Sequence, residues 1–280
     1  VSQDNNGNIR VGTNAGAGRF NGTIWQTFTT SDGLPDNMIY SISRDNTGKV
    51  WFATKNGACS FDGSTWNIYD TTNGLANNEV FSIMQHTDQK YWFGLSANGV
   101  STYDGFVWEN YYQSEGLLSN YVYSVCQDNN DMWFGTNSGA SKYDGNQWSA
   151  YTTANSGIAN NYIYNTVRDG SGNLWFATNN GLSKWNGSIW KTYTTADGLL
   201  DNYAYSLFVD SQNNLWIGYY NGVTVFNGST FTNYTTLNGL ANNYIRTICQ
   251  DAQGKIWCGS GNSSSTNISI WNGNSWSALN

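Results

Sequence analysis

The side chains of this 280-residue sequence best placed to meet a ligand are tyrosines at a regular spacing, with one arginine among them. Six times a Leu or Ile is followed three residues later by Asn, at Asn37, Asn78, Asn120, Asn161, Asn202 and Asn243. The next residues are Met38, Glu79, Tyr121, Tyr162, Tyr203 and Tyr244. Two places further on stand Tyr40, Phe81, Tyr123, Tyr164 and Tyr205, with Arg246 in the sixth copy. Tyr219 and Tyr220 occupy a loop position where other copies carry Thr and a polar residue. Phenol faces stack, while hydroxyls, amides and one guanidinium hydrogen-bond, which suits a carbohydrate or peptide ligand. Arg246 would meet a carboxylate. The candidate site is therefore Tyr121, Tyr162, Tyr203, Tyr219, Tyr220, Tyr244 and Arg246. A plainer reading stands beside it, in which the Asn residues cap turns and the tyrosines that follow them pack between repeats.

Little else in the chain is reactive. The single histidine, His86, holds a slot filled elsewhere by Asp4, Asp45, Asp128, Asp169, Asp210 and Asp251, and reads as a surface turn residue with no catalytic partner set. The recurring Asp, with Gly three residues on in "DNNG" and "DNTG", suits a β-turn capped by its own backbone better than a calcium loop. No metal or cofactor is expected. The four cysteines, Cys59, Cys126, Cys249 and Cys258, lack metal spacing and read as buried free thiols. Cys249 and Cys258 alone could approach, and a one-residue difference in register decides whether they share a face. No Ser-His-Asp set, phosphate loop or activated lysine is visible, though distant carboxylates could still be paired by the fold.

These residues are positioned by a repeat. Aligned on the slot of Trp51, the copies fall at Arg10, Trp51, Trp92, Trp133, Trp175, Trp216 and Trp257, at intervals of 41 or 42 residues. A second anchor, an aromatic residue followed closely by Gly, recurs at Phe20, Phe61, Tyr103, Tyr143, Trp185, Phe226 and Trp271. Each copy reads as four strands, for example 39–45, 49–54, 58–62 and 64–70, closed by Gly turns. Four antiparallel strands per repeat of about 41 residues predict an all-β, seven-bladed propeller rather than a solenoid. The second-strand Trp is expected between blades. The blades span approximately 1–31, 37–72, 78–114, 120–155, 161–196, 202–237 and 243–280 of a single domain, 1–280.

"RDNTGKVWFATKNGACSFDG" and "QDAQGKIWCGSGN" resemble the two-component regulator propeller repeat, written around D-x-x-G-x-x-W-[FI]-[GA]-T-x-x-G. The resemblance covers essentially the whole chain. It implies a propeller with sensing or binding duties, since members commonly form the periplasmic sensor portion of hybrid histidine kinases. Seven-bladed lyases acting on cyclic peptide antibiotics use a His and a metal at the channel mouth, but His86 is expected on the opposite face. Blade 1 reads as starting midway through its inner strand at Val1, which predicts a weaker junction with blade 7.

Composition narrows the partners. A formal charge of −7 with only 12 Lys plus Arg offers no basic stripe for nucleic acid. No apolar run approaches the roughly 20 residues of a membrane span, and no charged-then-apolar leader stands at Val1. Sparse charge with abundant Asn, Gly, Ser, Thr, Tyr and Trp suits an extracytoplasmic protein. The expected function is a noncatalytic ligand-binding, sensing or protein-interaction propeller. A structural or adhesion module and a carbohydrate-active lyase or hydrolase are the alternatives.

Overall fold

In a computed structural model, which describes residues 1–262 and 265–279, every repeat forms one four-stranded antiparallel sheet, and there are seven. Blade 2 is typical, with strands Ile39–Arg44, Val50–Thr54, Gly57–Phe61 and Trp66–Tyr69 running from the axis outward. The outer strand starts two residues later than its sequence suggests, because the Ser64 and Thr65 amides turn back to Asp62 Oδ1 at 2.9 and 2.8 Å. Among the described residues the only helical segments are four three-residue 3-10 turns in the connectors.

The recurring tryptophans hold the ring together. Trp51, Trp92, Trp133, Trp175, Trp216 and Trp257 are buried, each reaching into the layer between its own blade and the next. Trp51 meets Tyr91 of blade 3 with ring centroids 4.3 Å apart, and Trp257 meets Phe20 of blade 1 at 6.3 Å, closing the circle. Blade 1 substitutes Arg10, paired with Asp4 at 3.0 Å and packed on Phe61 of blade 2. Its inner strand, Ser2–Gln3, pairs with Arg10 and Ile9. At this junction the Ala252 amide donates to Gln3 Oε1 at 2.7 Å, the same turn-to-turn bond that Asn46 makes to Gln85.

The recurring Asp is structural. Asp45 Oδ1 accepts the amides of Thr47 and Lys49, and Oδ2 accepts the Trp51 indole N–H at 2.9 Å. Asp169, Asp210 and Asp251 hold Trp175, Trp216 and Trp257 in the same way at 2.8 Å. Two blades depart from this. Asp128 stands five residues before Trp133 instead of six, and its carboxylate turns to Arg168 Nε at 2.6 Å, leaving the Trp133 N–H without a partner.

His86 is the other departure, and it corrects the surface reading of that residue. It is buried, as Asp4, Asp45, Asp169, Asp210 and Asp251 of its slot are, with Nδ1 2.8 Å from Asp88 Oδ1. Its Nε2 and the Trp92 indole N–H both lack partners among the described residues. His86→Asp should restore the missing acceptor and stabilise the protein by about 1 kcal/mol, the net worth of one buried hydrogen bond. Urea unfolding measures this, and an unchanged or lower midpoint would show that the Asp slot does not act alike in every blade.

The Asn motif clamps connectors. Asn37 Oδ1 accepts the Thr30 amide seven residues back at 2.9 Å, and Asn78, Asn120, Asn202 and Asn243 make the equivalent bond. Asn161 reaches eight residues back, to Thr153, across the longer connector. A second clamp runs from the connector to the third strand of the following blade. Ser101, Ser141, Ser183, Thr224 and Ser269 each accept the amide of Ala76, Leu118, Ala159, Leu200 or Ala241. In blade 2 the donor position is Pro35, the only proline of the chain, and the acceptor position is Cys59. The residue without an N–H thus faces the residue without a hydroxyl.

All four cysteines are free and buried. Cys258 lies opposite Ile248 and Cys249 opposite Trp257, so the two point to opposite faces of their sheet and into different inter-blade layers. Burial pushes the Cys249 thiol up to about 11 and Cys126 to about 12.

Candidate ligand-binding site at the channel mouth

One bulge, repeated, builds the mouth. In blade 2 Ile39 pairs with Thr54 and Ser41 with Ala53, so Tyr40 is an extra residue with no opposite number. The same shift makes Phe81, Tyr123, Tyr164 and Arg246 the extra residues of blades 3, 4, 5 and 7. A bulge re-aims the side chain it carries. Here the rings meet one after another around the axis. Tyr40 and Phe81 lie 5.1 Å apart, Phe81 and Tyr123 5.2 Å, Tyr123 and Tyr164 6.3 Å, and Tyr164 and Tyr205 4.9 Å. Arg246 Cζ completes the arc 6.0 Å from the Tyr205 ring.

The connector residues meet this arc from the next blade along. Tyr40 Oη donates to Glu79 Oε1 at 2.5 Å, Tyr123 and Tyr162 share a hydroxyl bond at 2.5 Å, and Tyr164 joins Tyr203 likewise. Tyr162 and Tyr203 therefore spend their polar tips on neighbours, as the packing reading expects. Blades 6 and 7 differ. Tyr220 lies flat on Tyr244 at 4.3 Å and edge-on to Tyr205 at 5.4 Å, with Tyr203 at 5.5 Å. The Arg246 guanidinium stands 4.7 Å over the Tyr244 ring. It enters none of the ion pairs among the described residues.

Of the candidates read from sequence, the fold gathers Tyr203, Tyr220, Tyr244 and Arg246. Tyr162 sits beside them through Tyr164, at 4.8 Å. Tyr121 is exposed and makes no ring contact among the described residues. Tyr219 is corrected outright. It is fully buried, packed with Leu199, Ala204 and Ile217, because adjacent residues of an extended chain face opposite ways and Tyr220 takes the outward one. The blade 7 insertion includes Ser263 and Ser264, which lie outside the described residues. The arc residues Tyr40, Phe81, Tyr123, Tyr164 and Tyr205 were not chosen from sequence, although each aligns with Arg246.

Burial, reinforced by the nearby Tyr220 and opposed by Arg246, pushes Tyr205 up to about 12. Burial also raises Tyr244, Tyr164 and Tyr123. The mouth offers aromatic faces, hydroxyls and the Arg246 guanidinium, with the Glu79 carboxylate on the blade 3 side. His86 closes the opposite end of its inner strand, Val80–Gln85, away from this mouth.

The model of the two component regulator propeller matches residues 33–56, 116–138, 157–180, 198–221 and 239–262. No curated protein matches the sequence. Among solved structures, a streptogramin B lyase is 17% identical with a TM-score of 0.72, the match covering 88% of this chain and 84% of that one. A catalytically inactive virginiamycin B lyase from Staphylococcus aureus, solved with quinupristin, is 16% identical at a TM-score of 0.71, covering 86% and 83%. The extracellular domain of a protein classed as a one component system of B. thetaiotaomicron is 24% identical at 0.55, covering 94% of this chain and 38% of that one. The chain spans 55% of another extracellular domain from that organism, classed with the hybrid two component systems. Such identities establish the fold alone.

Proposed function

We propose that this chain, which belongs to the two component regulator propeller family, is a noncatalytic extracytoplasmic binding module whose ligand sits at the channel mouth beside blades 6 and 7. One observation carries the reading. Tyr220, the outward member of a pair found in blade 6 alone, stacks on Tyr244 next to a guanidinium that no carboxylate of the described residues neutralises. Aromatic faces supply the larger attraction to a sugar ring or a peptide side chain, and Arg246 orients a carboxylate. A protein of net charge −7 gives an anion no long-range attraction, so stacking must lead. The likeness to the extracellular domain classed as a one component system supports an extracytoplasmic setting.

A glycan array, followed by a peptide array, supplies the ligand. Tyr220→Ala and Arg246→Ala should each then weaken binding tenfold or more, about 1.4 kcal/mol. Unchanged affinity in both variants would remove the site from this mouth, and silent arrays would favour a display or adhesion module. The Tyr–Arg juxtaposition also favours a second reading, a lyase acting on acidic polysaccharide. The appearance of an unsaturated uronate chromophore on incubation with polyuronates would establish that reading and overturn the first.

A further inference from the structure

A second surface departs from the repeat in an apolar direction. At the tip between third and outer strands the copies carry Thr23, Ser64, Asn146, Ser188, Ser229 and Asn274, but blade 3 carries Phe106, 91% exposed. In the outer strand they carry Thr27, Asn110, Ala150, Thr192, Asn233 and Ala278, but blade 2 carries Ile68, 45% exposed. Both exceptions line one open groove of about 470 Å³ at the rim between blades 2 and 3. Tyr69, Tyr103 and Trp108 meet on its blade 3 side, while Ile68, opposite Cys59, shares the other face of the strand with Trp66.

The groove runs beside a free strand edge. The bond from the Asp62 amide to the Thr65 carbonyl sets the phase of the ladder, so Trp66 and Ile68 turn their backbone groups away from the third strand. The Ile68 carbonyl accordingly meets Asn73 Nδ2 at 3.2 Å, while the Trp66 and Ile68 amides face outward with no partner among the described residues. Three carboxylates flank the edge. Amides of Thr65 and Ser64 hold Asp62 below its ordinary range, those of Val107 and Phe106 do the same for Asp104, and the Thr72 hydroxyl and amide for Asp70. Of the cations nearby, Lys90 is already held by Glu109 at 2.8 Å, and Lys49 acts on Asp62 without an ion-pair contact.

We infer that this groove docks an extended segment of a partner protein in which basic and aliphatic residues alternate. The segment adds a strand along Trp66–Tyr69, sets its aliphatic side chains on the Ile68 face of that strand, and turns its cations to the groove side, toward the Phe106 ring and the carboxylates that flank the edge. The site is separate from the channel mouth and does not depend on the reading given to it.

Two synthetic octapeptides test this, one alternating lysine with valine and one alternating glutamate with valine, titrated onto the intact protein by NMR and fluorescence anisotropy. The lysine peptide should bind, shift and protect the Trp66 and Ile68 amides, and weaken as salt is raised. The double variant Ile68→Thr, Phe106→Ser installs the residue types of the other copies, and should lose at least tenfold in affinity without a change in unfolding midpoint. Ile189→Thr, at an exposed rim position of blade 5, should bind as before. Binding unaffected by the double variant, equal binding of the glutamate peptide, or no binding of either at millimolar concentration would overturn the inference. So would sedimentation showing that Phe106→Ser abolishes a dimer, because the groove would then belong to a second copy of the chain.

Discussion

Asp45→Ala should destabilise the propeller by about 3–4 kcal/mol, the largest effect expected of any single polar substitution here. Its carboxylate accepts five hydrogen bonds, from the Thr47 amide and hydroxyl, the Lys49 amide, the Trp51 indole and the Tyr91 hydroxyl of blade 3. Truncation strands these donors in a layer where Trp51 is 2% exposed. Water can reach the turn amides more readily than the indole, which is why the estimate stays below the sum of five bonds. Asp45→Asn keeps the shape but must point an N–H₂ at donors on one side, so it should lose roughly half as much.

The same carboxylates set the acid limb of stability. Burial alone would raise Asp45, Asp4 and Asp169, but the bonds they accept outweigh it, and all three are lowered. A group whose folded value is depressed stabilises the native state above its unfolded value, near 3.9, and loses that contribution as pH falls through the folded value. Stability should therefore be flat near neutrality and fall below about pH 4. Asp45→Ala should flatten that fall, and parallel acid limbs in variant and parent would refute the assignment.

The architecture was legible because each blade repeats the same solution to the same packing problem. A Trp every 41 or 42 residues, with Gly at the turns, admits little besides a ring of small sheets. The mouth was less legible, for a reason of register. Tyr40, Phe81, Tyr123, Tyr164 and Arg246 line it because a bulge makes them the unpaired residue of each inner strand, and sequence periodicity carries no record of which residue a ladder skips. The Tyr219 and Tyr220 pair poses the same difficulty on a smaller scale, since the alternation was certain but its phase was not. His86 was open to a better reading. A slot filled by Asp in the six other blades, five of them buried and four of those bonded to an indole, is a poor place for a surface residue.

Cys59→Ser, conservative in appearance, should cost about 2 kcal/mol, while the same change in a Pro35→Ala background should cost much less. Five blades place a Ser or Thr hydroxyl where a connector amide can donate to it, at 2.8 to 3.3 Å. In blade 2 the connector presents Pro35, which has no N–H, so a hydroxyl at position 59 would be buried at 0% exposure without its donor. Cysteine fills that space as a small apolar group, its thiol raised by burial. Alanine at position 35 restores an N–H, which the Cys59 thiol can use only weakly and a serine hydroxyl in its place would use fully. The two changes should couple favourably by about 1–2 kcal/mol in a double-mutant cycle read by urea unfolding. Additive single effects would mean that the proline and the cysteine coincide by chance. Coupling would identify the hydrogen bond from connector to third strand as the joint that fixes each blade to the next, and with it the connector that delivers Met38, Glu79 or Tyr244 to the channel mouth.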